Sequence, residues 1–417
     1  MGDATGVSQK DAVIKMVEDW KVKDKVIGLV FDTTASNTGI RNGCAVLIEK
    51  DINRSLLWLA CRHHVYEVHM KNIWQDLSGK TVGPDEQLFK RFQSEWNNFS
   101  HDLNDLKVFE WPLDKNSNIW NQASEVISWG EQCIDRDTFP REDYRELLEL
   151  TLVFLTGDLP GKRRFQFRKP GALHHARFMS KAIYFLKIFM LSERFELSEV
   201  EFSQVKKMAN FIALFYTKTF LRSRIACFAP IDDFNFFKAM FWYKEECVDI
   251  ANSALKSCSR HCWYLTEELV IIAIFNEDLS CFTRSLLARK LFNTPKPKSF
   301  IIGKPKFPVF VSELPLLSSL IGPRSWLLFS LMGLTNCQTD WLQLPPEYWG
   351  VLENYRSLKS FINRLEVVND SAERGIKIIS DYKDVCRNND QLEYVIQTVE
   401  HHRQRVSSLD KNSLPNV

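Results

Sequence analysis

Two short apolar runs separated by a helix-like stretch constrain this chain more than any other feature. Val26-Ile27-Gly28-Leu29-Val30-Phe31 reads as a strand buried on both faces, and it stops at the polar turn Asp32-Thr33-Thr34-Ala35-Ser36-Asn37-Thr38-Gly39. A helix-like segment follows through Val46, Leu47 and Ile48. Leu56-Leu57-Trp58-Leu59-Ala60-Cys61 then repeats the buried-strand pattern and runs into Arg62-His63-His64. Strand, helix and strand within about 40 residues predict a parallel crossover unit. Ahead of it, Ala12, Val13, Met16, Val17 and Trp20 fall at helical spacing, with Ser8 as the expected N-cap and Asp11 at the third helical position.

From about residue 85 to 290 the periodicity is almost wholly helical, as in Tyr144 to Leu155, Ala182 to Met190, Val205 to Phe220 and Phe236 to Leu255. No fixed-period self-similarity is visible, which argues against a helical-repeat solenoid. Prolines 295, 297, 305, 308 and 315 mark an extended connector near 293–315. Helical spacing resumes at Leu352, Tyr355, Leu358, Phe361, Ile362 and Leu365, and again at Ala372, Glu373, Ile376, Ile379 and Tyr382. The expected organisation is an α/β segment over 1–75, a helical domain over 76–350, C-terminal helices over 351–406 and a polar tail over 407–417.

Thirty Phe and twelve Trp predict a large aromatic core, which a chain of 417 residues can bury without staples. Lys and Arg number 54 against 52 Asp and Glu, so any basic surface must be local. Ten scattered Cys form no disulfide framework. The start lacks a secretory signal, and Gly6 stands where a myristoylation site wants Ser or Thr. The longest apolar run, Leu269 to Phe275, is far too short for a bilayer. These features predict a soluble, reduced, nuclear or cytoplasmic protein with no membrane partner.

Several places hold residues suited to chemistry. Asp32 ends a buried strand, where ligands and metals collect in α/β folds, and a carboxylate there can coordinate Mg²⁺. The competing reading is that Asp32 caps the next helix. Cys61 and His64 make half a zinc site, but no second pair has matching spacing. Cys258-Ser259-Arg260-His261-Cys262 is the only other cluster, so no zinc is expected.

Pro160 to Lys181 holds Lys162, Arg163, Arg164, Arg168, Lys169, Arg177 and Lys181 with no acid. Phe165, Phe167, His174, His175 and Phe178 interleave with them, the makeup of a backbone-phosphate surface with stacking groups. A solvated charge run is the alternative. A second acid-free stretch carries Arg289, Lys290, Lys296, Lys298, Lys304 and Lys306, and its prolines suggest a flexible arm. Glu373, in Asn369-Asp370-Ser371-Ala372-Glu373-Arg374-Gly375, opens a helix and by itself suggests only a favourable dipole contact.

Taken together these segments resemble transposases of the hAT superfamily, whose RNase H-like core is interrupted by a long helical insertion. Asp32-Thr33-Thr34-Ala35-Ser36-Asn37 is similar to that family's Asp-Asn-Ala-x-Asn strand end, which carries its second catalytic Asp. Leu59-Ala60-Cys61-Arg62-His63-His64 resembles the Cys-x-x-His element that follows. Ala176-Arg177-Phe178-Met179 resembles the Arg-Trp element of the insertion, with Phe in place of Trp. Ser371-Ala372-Glu373-Arg374 is similar to the Ser-x-x-Glu-Arg segment that brings in the catalytic Glu. The match covers about 130 residues in three short patches, in the family's order.

The resemblance implies an α/β fold, an incomplete RNase H-like core with a large all-α insertion domain. It also implies DNA as partner, possible self-association, and catalytic metal-ligating acids at Asp32 and Glu373 using Mg²⁺ or Mn²⁺. The family's core starts with three antiparallel strands, the first bearing the first catalytic Asp. Here Asp3, Asp11, Glu18, Asp19 and Asp24 lie in a tail, a helix or a connector. Two-metal chemistry needs the shared Asp, because the metals sit about 3.5–4 Å apart and clamp both reacting oxygens. The expectation is therefore a transposase remnant that keeps a DNA-binding surface, formed by Lys162, Arg163, Arg164, Arg168, Lys169, Arg177 and Phe178, and has lost strand transfer. The alternatives are a helical interaction scaffold with no nucleic-acid role, and an active transposase whose N-terminal exons are missing.

Overall fold

The computed structural model describes residues 5–79, 87–140, 142–161, 163–170, 179–309, 314–334 and 336–368. The chain divides into two compact units. One comprises Met1–Cys61, Ile301–Lys304 and Val368–Val417, and the other comprises Arg62–Phe300 and Pro305–Val367.

The first unit holds the predicted crossover. Its elements are helix α1 (Gly6–Asp19), strand β1 (Gly28–Phe31), the single turn α2 (Ala35–Thr38), helix α3 (Cys44–Ile52) and strand β2 (Leu57–Ala60). The strands are parallel, with Gly28 opposite Leu57 and Phe31 opposite Ala60. β2 is buried along its whole length, and Trp58 meets Phe31 edge to face at 5.5 Å. β1 departs from the expectation of burial on both faces. It starts at Gly28 rather than Val26, and Val30 is 42 % exposed, because β1 pairs only with β2 among the described residues and its outward face lies uncovered.

α1 also starts earlier than its apolar spacing suggests. Thr5 is the N-cap and accepts from the Ser8 amide at 3.3 Å, so Ser8 lies inside the helix. α1 packs on α3, and Met16, one of the apolar residues at helical spacing, is 56 % exposed. Gly6 makes the approach possible, since a Cβ there would collide with the carbonyl oxygens of Asn42 and Ser36. Glu49 on α3 is fully buried. Its Oε1 accepts from the Leu56 amide at 2.7 Å and its Oε2 from the Gly303 amide at 2.8 Å. One carboxylate thus ties the lead-in to β2 to the short 301–304 segment, as a buried charge requires.

Among its described residues the second unit is built of helices, apart from one isolated bridge between Ile225 and Glu366. It runs through α4 (Arg62–Ser78), α5 (Gln87–Glu95), α6 (Asn118–Arg136), α7 (Glu142–Thr156), α8 (Ser180–Met190) and α9 (Glu199–Phe211). A π-helical turn over Ile212–Tyr216 carries α9 into α10 (Thr217–Arg222), so the predicted segment from Val205 to Phe220 is one helical run with a local widening. α11 (Ala229–Tyr243) and α12 (Val248–Cys258) follow. The expected single helix from Phe236 to Leu255 breaks between them, where exposed Lys244, Glu245 and Glu246 offer no apolar side chain and Cys247 leaves helical geometry.

The apolar run ending at Phe275 forms a buried 3₁₀ helix, Val270–Phe275. α13 (Cys281–Phe292), α14 (Leu327–Leu331) and α15 (Glu353–Ile362) complete the unit, with an irregular proline-bearing connector between α13 and α14. The aromatic residues fill the core as predicted. Phe89, Phe92, Phe154, Phe185, Trp263, Trp349 and Tyr355 are fully buried, and edge-to-face pairs such as Trp74–Phe185 at 4.8 Å recur through it.

Candidate functional site

Asp32 follows the last residue of β1, at the carboxyl end of a parallel strand. Its Oδ1 accepts from the Thr34 amide at 3.0 Å, the Thr34 hydroxyl at 2.5 Å and the Asn37 side-chain amide at 2.8 Å. The Asp-Thr-Thr-Ala-Ser-Asn sequence therefore folds as a turn organised around one carboxylate oxygen, which launches α2. Cys61, at the end of β2, donates its amide to the Phe31 carbonyl at 2.7 Å. The residue before Asp32 and the end of the neighbouring strand are joined directly.

Cys61 is buried, and His64 sits in the first turn of α4. Between them lie two residues whose partners only the fold reveals. His63 is buried, stacks on Phe220 with ring centroids 4.1 Å apart, and places Nε2 3.2 Å from the Phe220 carbonyl. Arg62 is 1 % exposed. Its guanidinium donates to Asp233 at 2.8 Å and to the Tyr66 hydroxyl at 2.8 Å, while Tyr66 itself donates to Asp233 at 2.6 Å. Asp232 stands 3.7 Å away, and the rings of Tyr66 and Tyr264 flank the cation. Burial opposes the charge on Arg62, but Tyr66, Asp233 and Asp232 outweigh it and hold the guanidinium protonated, whereas burial pushes the Asp232 carboxyl upward. Sequence reasoning passed over Arg62. The available signals were an arginine directly after a buried strand and an acid pair inside the apolar stretch Ile231-Asp232-Asp233-Phe234.

α4 carries two further buried polar groups. Glu67 accepts from the Tyr216 hydroxyl and, at 2.8 Å, from the Met179 amide. Met179 adopts φ +67°, so the carboxylate secures a left-handed residue at the start of α8. Burial raises the Glu67 carboxyl and these hydrogen bonds oppose the rise. His69 bonds through Nδ1 to Ser257 at 2.8 Å and faces the Cys258 thiol through Nε2 at 3.7 Å; burial and nearby His261 push its pKa down to about 3. Among the described residues no three His, Cys, Asp or Glu are grouped to hold a metal ion.

The basic segment is extended over residues 163–170 and anchored from below. Lys187, buried on α8, donates to the Arg168 carbonyl at 2.6 Å and pairs with Glu146 at 2.5 Å. Arg163 pairs with Asp135 at 2.7 Å, and Arg168 with Glu142 at 3.2 Å and Glu149 at 3.6 Å. Arg164 and Lys169 are exposed and have no ion pair among the described residues. Phe167, expected as a stacking group, is buried, and Phe165 packs against it edge to face at 5.0 Å. The aromatic alternation thus hangs the segment on the core. Lys162, Arg177, Phe178 and Glu373 lie outside the described residues.

The described residues ahead of Glu373 end at Val368. Val367 accepts from the Arg62 amide at 3.0 Å and donates to the Arg224 carbonyl at 2.8 Å, while Glu366 bridges Ile225. Val367 is therefore bonded to the first residue of α4. As a fit for Mg²⁺, the strand end offers one carboxylate, already accepting three hydrogen bonds at one oxygen. That does not make a two-metal centre.

No family model, curated protein or solved structure matches the chain. Among the described residues no helix is long and apolar enough to cross a membrane.

Proposed function

We propose that this chain is a transposase-derived, DNA-binding protein of hAT type whose metal-dependent strand transfer has been lost. The observation that carries the reading is the parallel pair β1–β2, with Asp32 at the end of one strand and Cys61-x-x-His64 leading from the other into a large helical unit. In this reading Asp32 and Glu373 are the surviving acids, able to hold one Mg²⁺ or Mn²⁺ weakly, and Asp32 now serves mainly to build its turn. Arg164, Lys169, Lys162, Arg177 and Phe178 face the DNA backbone, with Arg163 and Arg168 bracing the segment.

DNA affinity measured against salt tests this. Phosphate neutralisation releases counterions and gives a steep negative slope of log affinity on log salt, by about 0.9 per contact. Charge reversal at Arg164 and Lys169 flattens that slope if the segment contacts DNA. A parallel nicking assay with Mg²⁺ or Mn²⁺ is expected to show no cleavage; cleavage abolished by Asp32→Ala would restore the active-enzyme reading.

The ion pairs of Arg163 and Arg168 favour a second reading, a helical protein-interaction scaffold whose basic segment is an ordinary salt-bridged face. An absent or salt-insensitive DNA affinity selects it.

A further inference from the structure

α13 buries one face and leaves the other bare. Arg284, Leu287, Ala288 and Leu291 point inward, and the buried guanidinium of Arg284 donates to the Tyr355 hydroxyl at 2.6 Å and the Ile274 carbonyl at 3.0 Å. On the opposite side Phe282 is 73 % exposed, Leu286 43 % and Phe292 38 %. Arg289 and Lys290 are exposed beside them, and the exposed Lys298 follows on the connector. None of these three cations has a carboxylate partner among the described residues, and no Asp or Glu occurs between Leu279 and Val309. This differs from the 163–170 segment, where acids already hold two of the arginines.

The combination selects a kind of partner. Basic residues near a helix C-terminus complement its dipole, which accounts for Arg289 and Lys290 but not for two large apolar side chains left in water. Phe282 and Leu286 are one turn apart on the same face, the spacing by which one helix presents anchors to another. A phosphate backbone offers Leu286 nothing to bury. An amphipathic helix with acidic flanks satisfies both parts, with apolar side chains on Phe282 and Leu286 and carboxylates on Arg289, Lys290 and Lys298. We infer that the outer face of α13 is a docking surface for an acidic amphipathic helix of another protein.

The probe is a fluorescein-labelled synthetic helix with Leu along one face and Glu on the rest, titrated with the full chain and read by anisotropy. Saturable, salt-weakened binding is expected. The paired changes F282S/L286S and R289E/K290E should each weaken it about tenfold or more, a loss of about 1.4 kcal/mol. R164E/K169E should leave it unchanged, which separates this surface from the proposed DNA contacts. All six positions are on the surface, and an unchanged thermal midpoint verifies folding. Absence of binding, or binding indifferent to the α13 changes, overturns the inference. So does a result in which F282S/L286S abolishes binding to a single-stranded oligonucleotide or to anionic vesicles rather than to the helix.

Discussion

The Arg62 backbone amide donates to the Val367 carbonyl at 3.0 Å while its side chain is buried against Asp233. Arg62 thus ties the start of α4 to Val367 and to Asp233 within the helical unit. Removing one partner of a buried ion pair leaves an uncompensated charge, which costs about 3–5 kcal/mol. Arg62→Ala is expected to lose that much in urea unfolding, with Arg62→Lys between it and the wild type because an ammonium cannot reproduce the fork to Asp233 and Tyr66.

Buried, neutral His69 sets an acid limb. Its pKa is about 3 in the fold against about 6.5 in the unfolded chain, so below about pH 6.5 the unfolded state binds the extra proton. The stability tied to this group is complete above that pH and falls as pH drops toward 3, with a slope approaching about 1.4 kcal/mol per pH unit. The urea midpoint of His69→Gln, followed from pH 7.5 to pH 4.5, is expected to fall less steeply than that of the wild type. Parallel curves would refute the assignment.

Glu49 holds two amides at once, that of buried Leu56 and that of half-buried Gly303. Glu49→Ala should cost about 1–3 kcal/mol, the cost of leaving the buried Leu56 amide unpaired. Hydrogen exchange should accelerate at Leu56 and Gly303, while Glu49→Gln, which keeps one acceptor, should protect one of them. Unchanged exchange at both amides would contradict the hydrogen bonds.

Within the basic segment the fold separates bracing residues from exposed ones. Reversal at Arg164 and Lys169 should lower the salt slope of DNA binding by about 0.9 for each contact removed and leave stability within about 0.5 kcal/mol. Reversal at Arg168 should instead loosen the segment, detected as faster proteolysis after residues 163–170. Equal effects on both readouts would erase the distinction.

The strand-helix-strand unit, the strand ends at Asp32 and Cys61 and most helices were legible from local patterns, because apolar period and turn residues report nearby geometry. What escaped depended on distant partners. Arg62 reads as one more base beside a histidine pair, and only tertiary contact with Asp233, 171 residues away, shows it to be structural. Phe167 reads as a stacking group because alternation does not reveal which side of an extended segment faces the core. Val30 matches a fully buried strand in composition, yet only the sheet's width decides whether β1 has a neighbour.

The account rests on Asp32 and Glu373 meeting in one split centre, and disulfide trapping measures that directly. Two cysteines bridge only when their Cα atoms come within about 7 Å. In the Asp32→Cys/Glu373→Cys double variant, mild oxidation followed by peptide mapping should yield the 32–373 linked peptide as the dominant new cross-link. If residue 32 or 373 pairs instead with native cysteines, or neither pairs, the two acids do not share a site and the transposase reading is wrong.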